Sequence, residues 1–162
     1  MIKIEPKIIK LASKNLVGMK TSMSLVHNKT GILWQNFMPK RKQINHVITN
    51  DLYSMQIYDT DYFVHFTPQN TFTKWACVEV SSFENLPIDC ESFNLQEGLY
   101  AVFHYKGLSS DTKIFEYIYS VWLPQSGYEL DQRPHFELLG ENYKNNDLNS
   151  EEDIFIPIRL KQ

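Results

Sequence analysis

Gly98-Leu99-Tyr100-Ala101-Val102-Phe103-His104-Tyr105-Lys106-Gly107 is the stretch on which the fold turns. Its apolar and aromatic composition predicts a strand, and Gly107-Leu108-Ser109-Ser110 breaks it. A helix is predicted from near Asp111, a residue type that caps helices by accepting first-turn N–H groups. Ile114, Ile118, Val121 and Trp122 recur at helical spacing, and Pro124 and Gly127 mark the stop. Two more strands are predicted, Pro134 to Leu139 and Ile154 to Leu160, joined by the hydrophilic loop from Gly140 to Glu152. The order is strand, helix, strand, strand.

Moving towards the N-terminus, the same order returns. A strand-like run covers Ile8 to Leu11 and then Leu16 to Leu25, with a kink near Ser13-Lys14-Asn15. In Gly31 to Met38, residues Leu33, Trp34, Phe37 and Met38 share one helical face; a helix is predicted there, and Pro39 disfavours simple continuation, the alternative being a kinked extension through Arg41 to Ile44. Strands follow at Leu52 to Tyr58 and Lys74 to Val80. They are separated by the polar, proline-containing segment from Asp59 to Thr73, which is placed to cover a pocket. Phe37-Met38-Pro39 and Trp122-Leu123-Pro124 close the two helices in parallel fashion. Two such half-sheets, each with one helix, pair around a quasi-twofold axis and leave a cleft between them. We therefore expect one domain over 1–162, with repeat halves of about 1–80 and 98–162 and a polar linker at 81–97.

Composition bounds the function. The 162 residues suffice for a substantial core, and 43% hydrophobic with 22% charged residues describes an ordinary globular chain. The 14% aromatic content is high, and aromatic rings build both cores and apolar ligand pockets. A net charge of -3 argues against direct nucleic-acid binding, which needs clustered Lys and Arg; Lys40-Arg41-Lys42 is the lone basic run and is expected on a solvated face. No stretch approaches a membrane span or a secretory signal, so a cytoplasmic location and no membrane partner are expected. Cys77 and Cys90 match neither zinc nor redox spacing and are expected reduced, Cys77 in a buried strand. The five histidines form no metal motif, and neither metal nor cofactor is expected.

Four ordered motifs resemble the GyrI-like effector-binding family. They are the Gly98 to Gly107 strand and turn; Trp122-Leu123-Pro124-Gln125-Ser126-Gly127-Tyr128, similar to a "W-L-x-x-S-G-Y" helix end; Arg133-Pro134-His135-Phe136-Glu137-Leu138-Leu139-Gly140, similar to a "P-x-F-E-x-Y" strand; and Ile154-Phe155-Ile156-Pro157-Ile158, similar to a terminal "I-x-I-P-I" strand. Leu139 stands where the family often has an aromatic residue. The resemblance implies an α+β fold: duplicated β-α-β-β units forming a curved antiparallel sheet, with two helices packed on one side and a cleft between the halves. It also implies a sensor domain of the kind attached to AraC-type and multidrug-responsive activators. The start of the motif-bearing region near residue 1 is the pattern of stand-alone members.

Glu137 is the leading site candidate. Strand alternation places it on one face with His135 and Leu139, opposite Phe136 and Leu138. That face is either a half-exposed sheet surface with a solvated glutamate or the wall of the cleft. The resemblance favours the cleft, because the family's sensor domains use a glutamate in this strand to meet lipophilic cations. Aromatic walls are expected from Tyr53, Trp75, Trp122 and Phe155, each able to attract a ligand cation. Tyr100 and Tyr128 are candidate partners of Glu137. A binding module for amphipathic or cationic molecules, serving sensing or sequestration, is the first expectation. The alternatives are a hydrolase using Glu137 in the same cleft, and a protein partner, either a transcription regulator or, as the family name suggests, DNA gyrase, engaged through the acidic Asn146 to Asp153 segment. No nucleophile elbow, phosphate-binding loop or dinucleotide glycine pattern occurs.

Overall fold

The computed structural model describes residues 3–162. Nine strands and two helices succeed one another as β1 (Lys7–Leu11), β2 (Lys14–Ser24), α1 (Thr30–Arg41), β3 (Leu52–Ile57), β4 (Thr71–Val80), β5 (Glu91–Leu95), β6 (Gly98–Lys106), α2 (113–125), β7 (Tyr128–Leu130), β8 (His135–Leu139) and β9 (Glu151–Leu160). The main path of the sheet runs β1-β6-β9-β8-β3-β4-β2-β5, with β7 added on β9. Every pairing is antiparallel. The α+β class, the duplicated order and the two helices on one side are as expected.

The halves meet where β3 pairs β8, with Ser54 opposite Glu137 and Gln56 opposite His135. Two strands depart from a simple tandem repeat. β1 leads into β2 but pairs with β6, while β5 leads into β6 but pairs with β2. Only Ala12 and Ser13 separate β1 from β2, so the sheet must curl until its two ends approach. β5 lies inside the expected 81–97 linker. Its Phe93 and Leu95 face one side and polar residues the other, the alternation of an edge strand with a solvated face.

Directly paired residues project to the same face of a sheet, so each face can be traced across the strands. The helix-free face carries Leu16, Tyr53, Met55, Trp75, Cys77, Leu95, Tyr100, Phe136 and Phe155, which pack as one buried cluster inside the curl. The other face is covered in two lobes. Under α1, Leu33 and Phe37 pack on Val17, Ala76, Val78 and Val80; under α2, Ile114 and Ile118 pack on Phe103, Ile154, Ile156 and Ile158. Trp34 is half-buried and Met38 exposed, so the buried stripe of α1 is narrower than expected. Pro39 sits within α1, in its last turn, and the helix ends two residues later at Arg41.

Helix α2 is α-helical over Lys113–Tyr117, widens to a π-turn over Ile118–Trp122 and closes with Leu123–Gln125. The N-cap position falls on Thr112, whose side chain makes no capping hydrogen bond, so Asp111 stands one residue before it, its carboxylate accepting the Lys113 N–H at 3.0 Å. The π-turn adds a residue to the repeat and so rotates the remainder of the helix about its axis. Val121, expected on the buried stripe, is exposed. Among the described residues no helix is long and apolar enough to cross a membrane.

Candidate functional site: a buried charge cluster between two helical lobes

Between the lobes the covered face changes character. β8 contributes His135 and Glu137, β3 contributes Ser54 and Gln56, β4 contributes Lys74 and β9 contributes Glu152. Lys74, Gln56, His135 and Glu152 are buried, and Glu137 keeps partial exposure. Buried charges persist only when paired or hydrogen-bonded. Gln56 provides that link: with its amide turned so that both ends find complementary partners, the oxygen accepts from the Lys74 ammonium and the NH2 donates to a Glu137 carboxylate oxygen at 3.0 Å and to the His135 carbonyl at 3.3 Å.

Burial governs the electrostatics here. It pushes the Glu137 carboxyl above its ordinary range, against the pull of Lys74 and the Gln56 hydrogen bond. It also lowers Lys74, which Glu137 and Glu152 hold up in turn. Glu152 is pushed up to about 7 by burial and by the Glu137 charge. His135 is driven down to about 3 by burial, with Arg133 adding to the effect, so the imidazole is neutral. Its Nδ1 shares a 2.9 Å hydrogen bond with the Tyr119 hydroxyl. Burial holds the Tyr58 and Tyr119 phenols well above their ordinary value.

The rings around this cluster come from the β3–β4 connection and from α2. Phe63 stacks on His135 (centroids 5.6 Å, 23°) and lies against Tyr119 (5.1 Å) and Tyr58 (5.0 Å). Tyr58 meets the His135 edge at 4.8 Å, and Tyr62 and Phe72 complete the group. These rings pack on the His135 side of the cluster. Two surface hollows, of about 220 Å³ beside Asp59, Asp61 and Tyr62 and about 460 Å³ beside Asp51, His104 and Glu141, do not have Glu137 in their walls. Among the described residues no group of three or more His, Cys, Asp or Glu side chains is placed to hold a metal ion.

The structure assigns the sequence candidates differently. Glu137 lies where alternation puts it, on the covered face with His135 and Leu139. Tyr53, Trp75 and Phe155 project from the opposite face and pack in the curl, so they do not wall Glu137; this corrects the expectation. The physical reason is strand parity: each pairs with residues facing away from Glu137. Trp122 is on the helical side but packs on Phe103 (5.1 Å) and Tyr128 (6.4 Å) within the α2 lobe. Tyr100 donates to the Pro134 carbonyl at 2.7 Å from the helix-free face, and Tyr128 belongs to the α2 lobe, so neither is a Glu137 partner. Lys74, Gln56, Tyr58, Phe63 and Tyr119 were not anticipated. The aromatic density of Tyr58, Tyr62, Phe63 and Phe66 in an otherwise polar connection was the available signal.

The architecture is thus an exchanged, duplicated β-α-β-β sheet with a polar cluster between two helical lobes. The profile of the family described as "Cass2: Integron-associated effector binding protein" matches residues 7–158, and the chain belongs to that family. The expected GyrI-like resemblance is thereby borne out. No curated protein matches the sequence. Among solved structures, the EcmrR C-terminal domain is similar at TM-score 0.74 and 12% identity, covering 99% of this chain and 100% of that one. SAV2435 bound to tetraphenylphosphonium is similar at TM-score 0.69 and 18% identity, covering 96% and 94%. A hydrolase from Listeria innocua is similar at TM-score 0.62 and 11% identity, covering 97% and 93%. At such identities these likenesses establish the shared fold.

Proposed function

We propose that the region around Glu137 binds an amphipathic small molecule, lipophilic cations included, for sensing or sequestration. The observation that carries this reading is the Glu137 carboxylate, seated where the two halves meet, on one face with His135 and near enough to the Tyr58 and Tyr119 phenols to act on them electrostatically. A carboxylate among rings supplies a directional anchor and apolar contact together, the combination that ligand pockets use. Membership of an effector-binding family supports the reading, as does the tetraphenylphosphonium bound to SAV2435. EcmrR, whose C-terminal domain is similar to this chain, has been solved in a complex with DNA, which supports the sensing alternative.

Ligand that binds only the native state raises the melting temperature. A panel of lipophilic cations, zwitterions and uncharged aromatic compounds is expected to contain members that raise it. Glu137→Gln is expected to weaken those members about tenfold, the loss of one charge-assisted contact. A panel without a single stabilising compound would remove this function.

A second reading, hydrolysis of small lipophilic electrophiles, is favoured by Glu137 and the Tyr119 hydroxyl facing the same region and by the Listeria innocua likeness. Burial raises the Glu137 carboxyl, the direction that favours a proton-donating role. Catalytic disappearance of aryl esters or lactones, abolished by Glu137→Gln, would establish turnover over stoichiometric capture.

A further inference from the structure

We infer that Lys74 is the specificity-determining residue of the Glu137 region: its ammonium, joined through Gln56 to the carboxylate, takes the place of a ligand cation, so the site prefers uncharged amphipathic acceptors to permanent cations. The inference rests on the proposed binding region and names the ligand class within it.

Three observations carry it. Lys74 is buried, at 6% exposure, on the same face as Glu137, so its charge cannot be dispersed into water. The contacts form a chain, Lys74 ammonium to Gln56 amide to Glu137 carboxylate, which uses one of Gln56's two polar ends on each charged group. Lys74 is also the positive group whose charge bears on Glu137, while Arg133 is committed elsewhere, to Asp131 at 2.8 Å and the Leu99 carbonyl at 2.6 Å. A buried carboxylate without a counter-ion would attract a lipophilic cation strongly. With Lys74 offsetting one of the two carboxyl groups, Glu137 and Glu152, the same cation meets a weakened negative field and the like charge of Lys74, whereas a neutral ligand oxygen can accept a hydrogen bond from that ammonium. Coulomb interactions are least screened away from water, so the presence of Lys74 outweighs that of any surface charge.

The test compares two probes of similar shape and opposite demand: tetraphenylphosphonium, a permanent cation, and triphenylphosphine oxide, an uncharged acceptor. Their dissociation constants are measured by calorimetry on the wild type, Lys74→Met and Lys74→Gln. The second variant retains a polar group should the first fold poorly, and circular dichroism checks both. The wild type is expected to bind the phosphine oxide at least tenfold more tightly than the phosphonium, and both variants to shift that ratio at least tenfold towards the cation. Equal affinities in the wild type, or a ratio unmoved by both substitutions, would overturn the role of Lys74 while leaving the binding region standing. Failure of both probes to bind any of the three proteins would remove the region as a site, and the inference with it.

Discussion

Glu152 shows what the buried cluster does to a single carboxyl group. It pairs across the strands with Tyr105 and titrates at about 7, well above the 4.5 of an ordinary glutamate. The folded chain therefore holds a proton that the unfolded chain releases between pH 4.5 and about 7, and the associated stability is lost as pH rises through that window. Glu152→Gln stays uncharged throughout. Its stability relative to wild type is expected to be greater at pH 8 than at pH 5, by up to about 3 kcal/mol, read from urea unfolding at both values. His135 acts in the opposite sense, because its folded value of about 3 lies below 6.5 and stability falls as pH drops through that range. Both proteins carry His135, so it cancels in the comparison. Of these residues, the facing of Glu137 and His135 was legible from period-two alternation alone. Lys74 and Gln56 were not, because their partners depend on how β4, β3 and β8 align, and register between strands distant in sequence is not written in any one of them.

At the scale of elements, the β3–β4 connection was expected to cover a pocket, and its rings do lie over the charge cluster. Tyr58, Tyr62 and Phe63 are held there by mutual contacts at 4.5 to 5.0 Å. Phe63 stacks on His135, which shares its face of β8 with Glu137. Phe63→Ala is expected to cost about 1–3 kcal/mol in urea unfolding, less than a wholly enclosed phenylalanine because Phe63 is half-buried. It is also expected to speed the association of a bound probe, measured by stopped-flow fluorescence. Unchanged association would mean that Phe63 does not gate the region. The turn within α2 was beyond the sequence for a different reason. Ile114, Ile118, Val121 and Trp122 fit an ideal helical stripe, and an i→i+5 turn leaves no mark in such a pattern. β5 is not legible in the sequence because an edge strand buries only one face, and Phe93 and Leu95 alone do not outweigh the polar residues around them.

At the scale of the whole molecule, the duplicated order was legible because each half carries its own strand and helix periods. The exchange of β1 and β5 was not, since a leading strand that pairs with the far half has the same composition as one that pairs with its own. The exchange is testable by cutting the chain between Glu84 and Asn85, both exposed and outside any strand. Each fragment then retains a strand hydrogen-bonded into the other, in addition to the β3–β8 pairing. A protease site placed there is expected to yield a nicked protein that elutes as one species under native conditions and separates only in denaturant. Each fragment expressed alone is expected to aggregate, because the sheet edges vacated by its partner are left open.

Such an arrangement is a domain-swapped dimer folded into one polypeptide, with each lobe clasped by an arm of its neighbour. The lobes cannot drift apart as hinged halves do without unzipping a strand at each rim. The sheet under the charge cluster is therefore fastened at both rims, and the hollow beside Asp51 and His104 reaches the cluster at its Glu152 end.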